Sequence, residues 1–201
     1  MVAEQLIRRD ITDERVLDAM RTVPRHEFVP RAWASEAYDD RPLPIGFDAT
    51  ISQPYIVALM AQSLRLAPSD CVLEIGAGSG YGAAVLAELA GEVTAVETVA
   101  PLADQARSRL SARYGDRVTV ITGDGSLGHE PGAPYDAISV TAAAPEIPPP
   151  LLEQLAIGGR LIIPVGRGVE DLVLVRRTET GYERQVILQV RFVPLTGRHG
   201  A

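Results

Sequence analysis

The sequence predicts a doubly wound α/β domain built on a mostly parallel sheet, and three observations predict it. Short apolar runs alternate with helix-period segments from residue 55 onward. The runs are near-continuously apolar, as strands covered by helices on both faces must be. The first run ends in a glycine-rich turn that opens a helix, which is where an open parallel sheet places its ligand.

Taken in order, Leu6, Ile7, Val16, Leu17, Met20 and Val23 recur at roughly helical spacing. Thr12 is the expected cap of a helix beginning at Asp13, with Asp13 and Glu14 favourably placed in its positive first turn. Pro24, Pro30, Pro42 and Pro44 then interleave with Phe28, Trp33, Tyr38 and Phe47. Proline restricts helices while aromatic side chains want burial. Residues 1–50 therefore read as an irregular segment packed on the core, with an inert cover and a lid or substrate wall equally open.

Residues 55–66 carry a helical apolar face through Ile56, Leu59, Met60 and Leu64. Strands are expected at 71–75, 93–96, 118–121, 137–140 and 161–165. Helices are expected at 81–89 and 99–114, the second capped by Thr98, with a short one at 151–155 opened by Pro148–Pro150. The rhythm then breaks. Residues 172–177 and 186–193 flank Thr180-Gly181 without an intervening helix, which reads as an antiparallel hairpin added to the sheet. The whole is expected to be a single domain over 1–201: cover 1–50, cofactor-binding core 51–165, C-terminal hairpin 166–201.

A chain of 201 residues is long enough to fold without a metal or disulfide staple. Its 19 Lys+Arg against 26 Asp+Glu give a net charge of −7, which argues against a sequence-independent nucleic-acid partner. Cys71 is the one cysteine and His26, His129 and His199 lack ligand spacing, so no metal site is expected. No apolar run of about 20 residues is present, so no membrane-spanning helix is expected. No signal-peptide pattern opens the chain, which makes cytoplasm the expected compartment. A monomer is the expected state.

The strongest local signal is Gly76-Ala77-Gly78-Ser79-Gly80, between a strand and a helix. Glycines there let the backbone turn sharply and approach a ligand closely. The dinucleotide pattern G-x-G-x-x-G would need glycine at Tyr81. Read from Gly78 it gives Gly78, Gly80 and Ala83, so a dinucleotide reading stays open. Glu97 closes the second strand, 21 residues after Gly76, where a carboxylate can accept the hydroxyls of a ribose. Asp124, in Gly123-Asp124-Gly125, follows the third strand and can accept a hydrogen bond from an exocyclic amine. These three strand ends together resemble a class I S-adenosylmethionine-dependent methyltransferase, with a Rossmann-like fold.

Further segments narrow the resemblance. Val23-Pro24-Arg25, Leu43-Pro44-Ile45-Gly46, Thr50-Ile51-Ser52-Gln53-Pro54-Tyr55, Ala133-Pro134-Tyr135-Asp136-Ala137-Ile138 and Arg191-Phe192-Val193-Pro194-Leu195-Thr196 run in order along nearly the whole chain. With the glycine turn they resemble the protein-L-isoaspartate O-methyltransferases. The resemblance implies methyl transfer from S-adenosylmethionine, leaving S-adenosylhomocysteine, to the α-carboxylate of isoaspartyl residues in damaged proteins or peptides. Repair then proceeds through a succinimide. A relative acting on a dedicated aspartate of a biosynthetic peptide is the other enzyme that this pattern fits.

The resemblance also assigns roles. Ser52 is the expected active-site serine. Ala49, Thr50, Ile51, Ser52 and Tyr55 are expected to close over the cofactor, Gly76, Ala77, Gly78 and Gly80 to cradle it, and Glu97 to bind its ribose. Asp124 and Gly125 are expected on its adenine side. Ile51, Ser52 and Val193 are expected beside the acceptor, and Thr196 at the cofactor mouth. Read from the residues alone, Ser52 can instead cap the helix after it. Asp48 adds a negative charge near a site for an anionic acceptor.

Overall fold

In the computed structural model, which describes residues 1–200, one seven-stranded sheet organises the chain. Its strands are β3 (Cys71–Ile75), β4 (Glu92–Glu97), β5 (Val118–Thr122), β6 (Tyr135–Val140), β7 (Leu155–Arg167), β8 (Val169–Arg177) and β9 (Tyr182–Val190), in the order β5-β4-β3-β6-β7-β8-β9. The pairs β3–β4, β4–β5, β3–β6 and β6–β7 are parallel. Leu73, Ala95, Ala137, Ile138 and Val140 have no exposed surface, the two-sided burial that their unbroken apolar runs require.

Helices α3 (Tyr81–Ala87) and α4 (Ala100–Tyr114) carry the chain outward from β3 to β5. The chain then crosses back to lay β6 on the other side of β3. This reversal opens a crevice beyond the carboxyl ends of β3 and β6. On the far side, β7, β8 and β9 run antiparallel. The expected hairpin is thus the outer part of a three-stranded meander. Strand β7 crosses position 165 without a break, and Arg167 pairs with Val169 around Gly168 at φ 90°.

The first 50 residues hold one helix, α1 (Glu14–Thr22), several single turns, and a small antiparallel pair, β1 (Leu43–Gly46) with β2 (Ala49–Ile51). Helix α2 (Pro54–Leu64) follows and packs on α1. Leu6, Leu17, Met20, Phe28 and Leu43 join the same apolar core as α2 and α3. Arg15 ties α1 to the domain by donating to the carbonyls of Leu66 and Leu89, each at 2.6 Å. Arg25 is fully buried, donates from Nε to the Ala37 carbonyl, and lies 4.9 Å from the centre of the Tyr81 ring.

Two expected caps move by one residue. Asp13, not Thr12, caps α1 by accepting from the Arg15 N–H at 2.9 Å, while the Thr12 and Asp13 N–H groups both donate to Gln62 Oε1. At α4 the cap position is Val99 and Thr98 does not cap. Glu97 accepts the Val99 N–H at 2.9 Å, and no side chain caps the helix. Helix α2 stops at Leu64, with Arg65 left-handed at φ 47°. No helix among the described residues is long and apolar enough to cross a membrane.

Candidate active site

Two cavities lie at the carboxyl end of the sheet, and they share a wall. The first, of about 290 Å³, is lined by the end of β3 (Ile75, Gly76, Gly78), the end of β4 (Val96 to Val99), and Gly125. Phe47 to Thr50 and Val193 to Thr196 close it. The second, of about 680 Å³, is lined by Ser52, Gln53, Tyr55, Phe192, Arg9 and Arg191 among others. Thr50, Thr141 and Val193 line both.

The first cavity sets a carboxylate that can take hydroxyls beside an apolar slot. Gly76 stands at φ 88° and Gly78 at φ 52°, conformations that glycine adopts at no steric cost. A Cβ on Gly76 would come within 2.5 Å of Thr141 Oγ1, and one on Gly78 within 3.3 Å of Ile45, so the turn is packed on one face and open on the other. Glu97 is 6% exposed yet fully held. Oε2 accepts the Gly78 N–H at 2.8 Å and Oε1 that of Val99. A carboxylate has about four acceptor sites, so both oxygens can still receive hydroxyls from the cavity. Val96, Val99 and Leu195 give an apolar slot beside it.

Asp124 is placed differently from Glu97. It lines neither cavity. Its Oδ1 accepts from the Ser126 N–H and hydroxyl, and its Oδ2 from the Arg198 N–H at 2.8 Å. Burial raises its pKa, but these hydrogen bonds outweigh burial and hold the carboxyl below its ordinary value. The C-terminal residues thus fold over it, and its neighbour Gly125 faces the cavity. Gly80 likewise lines neither cavity. It opens α3 at φ 89°, and a Cβ there would press on Leu110 and Ala106 of α4.

Ser52 is half-buried in the second cavity. Gln53, not Ser52, occupies the cap position of α2, with Pro54 in the first turn. The capping reading of Ser52 therefore falls, and its hydroxyl makes no hydrogen bond among the described residues. Ile51 is buried beneath it. Ser52 and Ile51, with Ala77 and Glu74, also line a pocket of about 40 Å³ behind the glycine turn. Tyr55 is buried in the second cavity and not the first, with the Arg9 guanidinium 3.3 Å over its ring.

Three features were missed from sequence. Thr141, one residue past β6, donates through Oγ1 to the Gly76 carbonyl at 2.7 Å. Its position after an apolar strand was the available signal. Phe47 and Asp48 form the turn between β1 and β2 with φ 54° and 57°, a type I′ geometry in which Asn-Gly is the usual signal. Glu74 lies wholly buried in β3. Burial, opposed by a hydrogen bond from Ala83 and reinforced by Glu97, pushes its carboxyl up to about 8.

Parallel sheet, switch-point crevice, glycine turn and strand-end glutamate together define a class I S-adenosylmethionine-dependent methyltransferase. The chain belongs to the protein-L-isoaspartate(D-aspartate) O-methyltransferase family, whose model matches residues 1–200. A protein-L-isoaspartate O-methyltransferase of Methanoregula boonei is 55% identical over all of this chain and 93% of its own length. One from Methanoculleus marisnigri is 54% identical over all of this chain and 91% of its own. A solved protein-L-isoaspartate O-methyltransferase superposes with a TM-score of 0.89 at 29% identity, over 96% of this chain and 64% of that one. A Plasmodium falciparum protein of that description, solved with S-adenosyl-L-homocysteine, superposes with a TM-score of 0.85 at 27% identity, over 97% and 96%.

Proposed function

We propose that the chain transfers a methyl group from S-adenosylmethionine to the α-carboxylate of an L-isoaspartyl residue in a damaged protein or peptide. The following backbone amide nitrogen then attacks the ester carbonyl, expels methanol and closes a succinimide without enzymic help. One observation carries the reading: the cofactor-type cavity and the Ser52 cavity meet at Thr50, Thr141 and Val193. The bound cofactor supplies a methyl group already activated by its sulfonium charge.

The chain's own residues then have a positioning task. The free α-carboxylate of an isoaspartyl residue is ionised at pH 7, with an ordinary α-carboxyl pKa of about 3.3–3.7, so it needs no base. Ser52 donates a hydrogen bond to one carboxylate oxygen and aims the other through the shared wall. Alignment at about 3–3.5 Å contributes roughly 7–11 kcal/mol of barrier reduction. Glu97 and the turn at Gly76 and Gly78 hold the cofactor, with Ala49, Thr50, Gly125 and Thr196 closing its cavity; Val193 flanks the acceptor, while Ile51 and Ala77 line neither large cavity and support the site from beneath. Gly80 supports the turn from behind and Asp124 from the C-terminal side. Asp48 faces the cofactor cavity, where its charge suits a sulfonium, and does not line the acceptor cavity.

The names of the full-length relatives favour general isoaspartyl repair over a dedicated biosynthetic peptide. We read residues 1–201 as a single catalytic domain: cover 1–50, cofactor core 51–165 and hairpin 166–201. It works as a cytoplasmic monomer on proteins and peptides, with neither nucleic acid nor membrane as partner. The test is methyl-labelled S-adenosylmethionine with two matched peptides, one carrying L-isoaspartate and one aspartate. Base-labile label on the first alone is expected; label on neither would overturn the reading.

A further inference from the structure

We propose that an acidic stretch of the substrate polypeptide docks in a basic groove at the far end of α2, about five residues from the isoaspartyl residue. The inference rests on the methyl-transfer reading above and adds a second binding site to it. A cavity of about 820 Å³ is walled by the end of α2, the start of β7, and the facing parts of β8 and β9. Arg65, Arg160, Arg176 and Arg184 line it, against Glu183 as the one carboxylate in the lining. This is a cationic patch on a chain of net charge −7.

The four arginines differ in what holds them. Arg160 is committed to the fold: it donates to the Leu64 and Arg65 carbonyls and pairs with Asp70 at 2.7 Å. Arg65, Arg176 and Arg184 are exposed, and no carboxylate pairs with them among the described residues. Arg65 ends α2 with φ 47°, where glycine is the ordinary residue and a long side chain is strained.

The groove and the acceptor cavity lie at opposite ends of α2 and share no lining residue. Residues at the start of α2 line one and residues at its end the other. On the opposite wall, successive residues of β9, Ile187 and Leu188, belong to the far and near cavity respectively. The 11 residues of α2 span about 16 Å at roughly 1.5 Å per residue. An extended chain covers that in about five residues, at roughly 3.3 Å each. Arg9 and Arg191 stand at the near end. Arg9 is held by Asp40 at 3.2 Å, so Arg191 at the near end and Arg65, Arg176 and Arg184 at the far end are the cations left to attract an acidic polypeptide that the protein as a whole repels.

Three isoaspartyl peptides test the proposal: one neutral, one with three glutamates beginning four residues before the isoaspartate, and one with them beginning four residues after. One acidic peptide is expected to show a KM about fivefold below the neutral one at low salt, with the same kcat, and the advantage is expected to vanish at about 0.5 M salt. In Arg65→Gln/Arg176→Gln/Arg184→Gln the KM ratio between that peptide and the neutral one is expected to fall to about one. Equal KM for all three peptides with the native chain would overturn the groove while leaving methyl transfer intact. Failure to methylate even the neutral peptide would instead overturn the reading on which it rests. The salt comparison needs no variant to fold.

Discussion

Thr141 Oγ1 donates to the Gly76 carbonyl at 2.7 Å, joining the end of β6 to the glycine turn after β3 at the boundary between the two cavities. The same hydroxyl lies 3.0 Å from the Ile75 carbonyl, so a single proton serves two acceptors of the turn. Thr141→Val keeps the shape and removes the donor. Losing it is expected to cost about 1 kcal/mol, roughly 2–4 °C in Tm for a chain of this size. Cofactor affinity is expected to fall about tenfold, because the turn loses its brace. Calorimetric titration with S-adenosylhomocysteine and a melting curve check both; unchanged values in both would mean that the turn holds itself.

Glu74 gives the molecule a pH dependence of unusual sign. Its folded pKa of about 8 lies above the ordinary 4.5, so between those values the folded chain binds the extra proton and the unfolded chain does not. The stability it contributes is complete below about pH 4.5 and is lost as pH rises through about 8, at no more than roughly 1.4 kcal/mol per pH unit. Glu74 Oε2 has no hydrogen-bond partner among the described residues, which suits a neutral carboxyl far better than an anion. Glu74→Gln is expected to flatten Tm between pH 5 and 8 and to melt higher than the native chain at pH 8. A variant that follows the native pH profile would assign the dependence to another group.

Phe47 is held at φ 54° while 57% exposed at the rim of the cofactor cavity. A bulky residue in that region costs about 1–3 kcal/mol, and such strain clusters at functional sites. Phe47→Gly is expected to raise stability by about 1 kcal/mol and to weaken cofactor binding several-fold by opening the cavity. Denaturant unfolding and cofactor titration separate the two effects. A gain in stability with unchanged affinity would make the ring dispensable to the site.

The parallel core was legible because its strands follow simple rules. Val72, Leu73 and Ile75 are buried together, as an unbroken apolar run demands, and the expected bounds of β3 agree with those observed. The place of Glu97 was legible because it ends the second apolar run, and it does end β4 and line the first cavity. What escaped depends on contacts distant in sequence. Nothing local in Phe47-Asp48 signals a type I′ turn; pairing between Leu43 and Ile51 imposes it. Thr141 matters only because strand order places it against Gly76. The division of Ser52 and Tyr55 from Glu97 into neighbouring cavities is a fact of packing that no motif carries.

Ser52→Ala is the most direct test of the two-cavity site. With its hydroxyl removed, turnover of an isoaspartyl peptide is expected to fall at least 100-fold, while the Kd of S-adenosylhomocysteine stays within about threefold, since Ser52 lines the acceptor cavity and not the cofactor cavity. Turnover equal to that of the native chain would contradict the assignment of the acceptor carboxylate to Ser52.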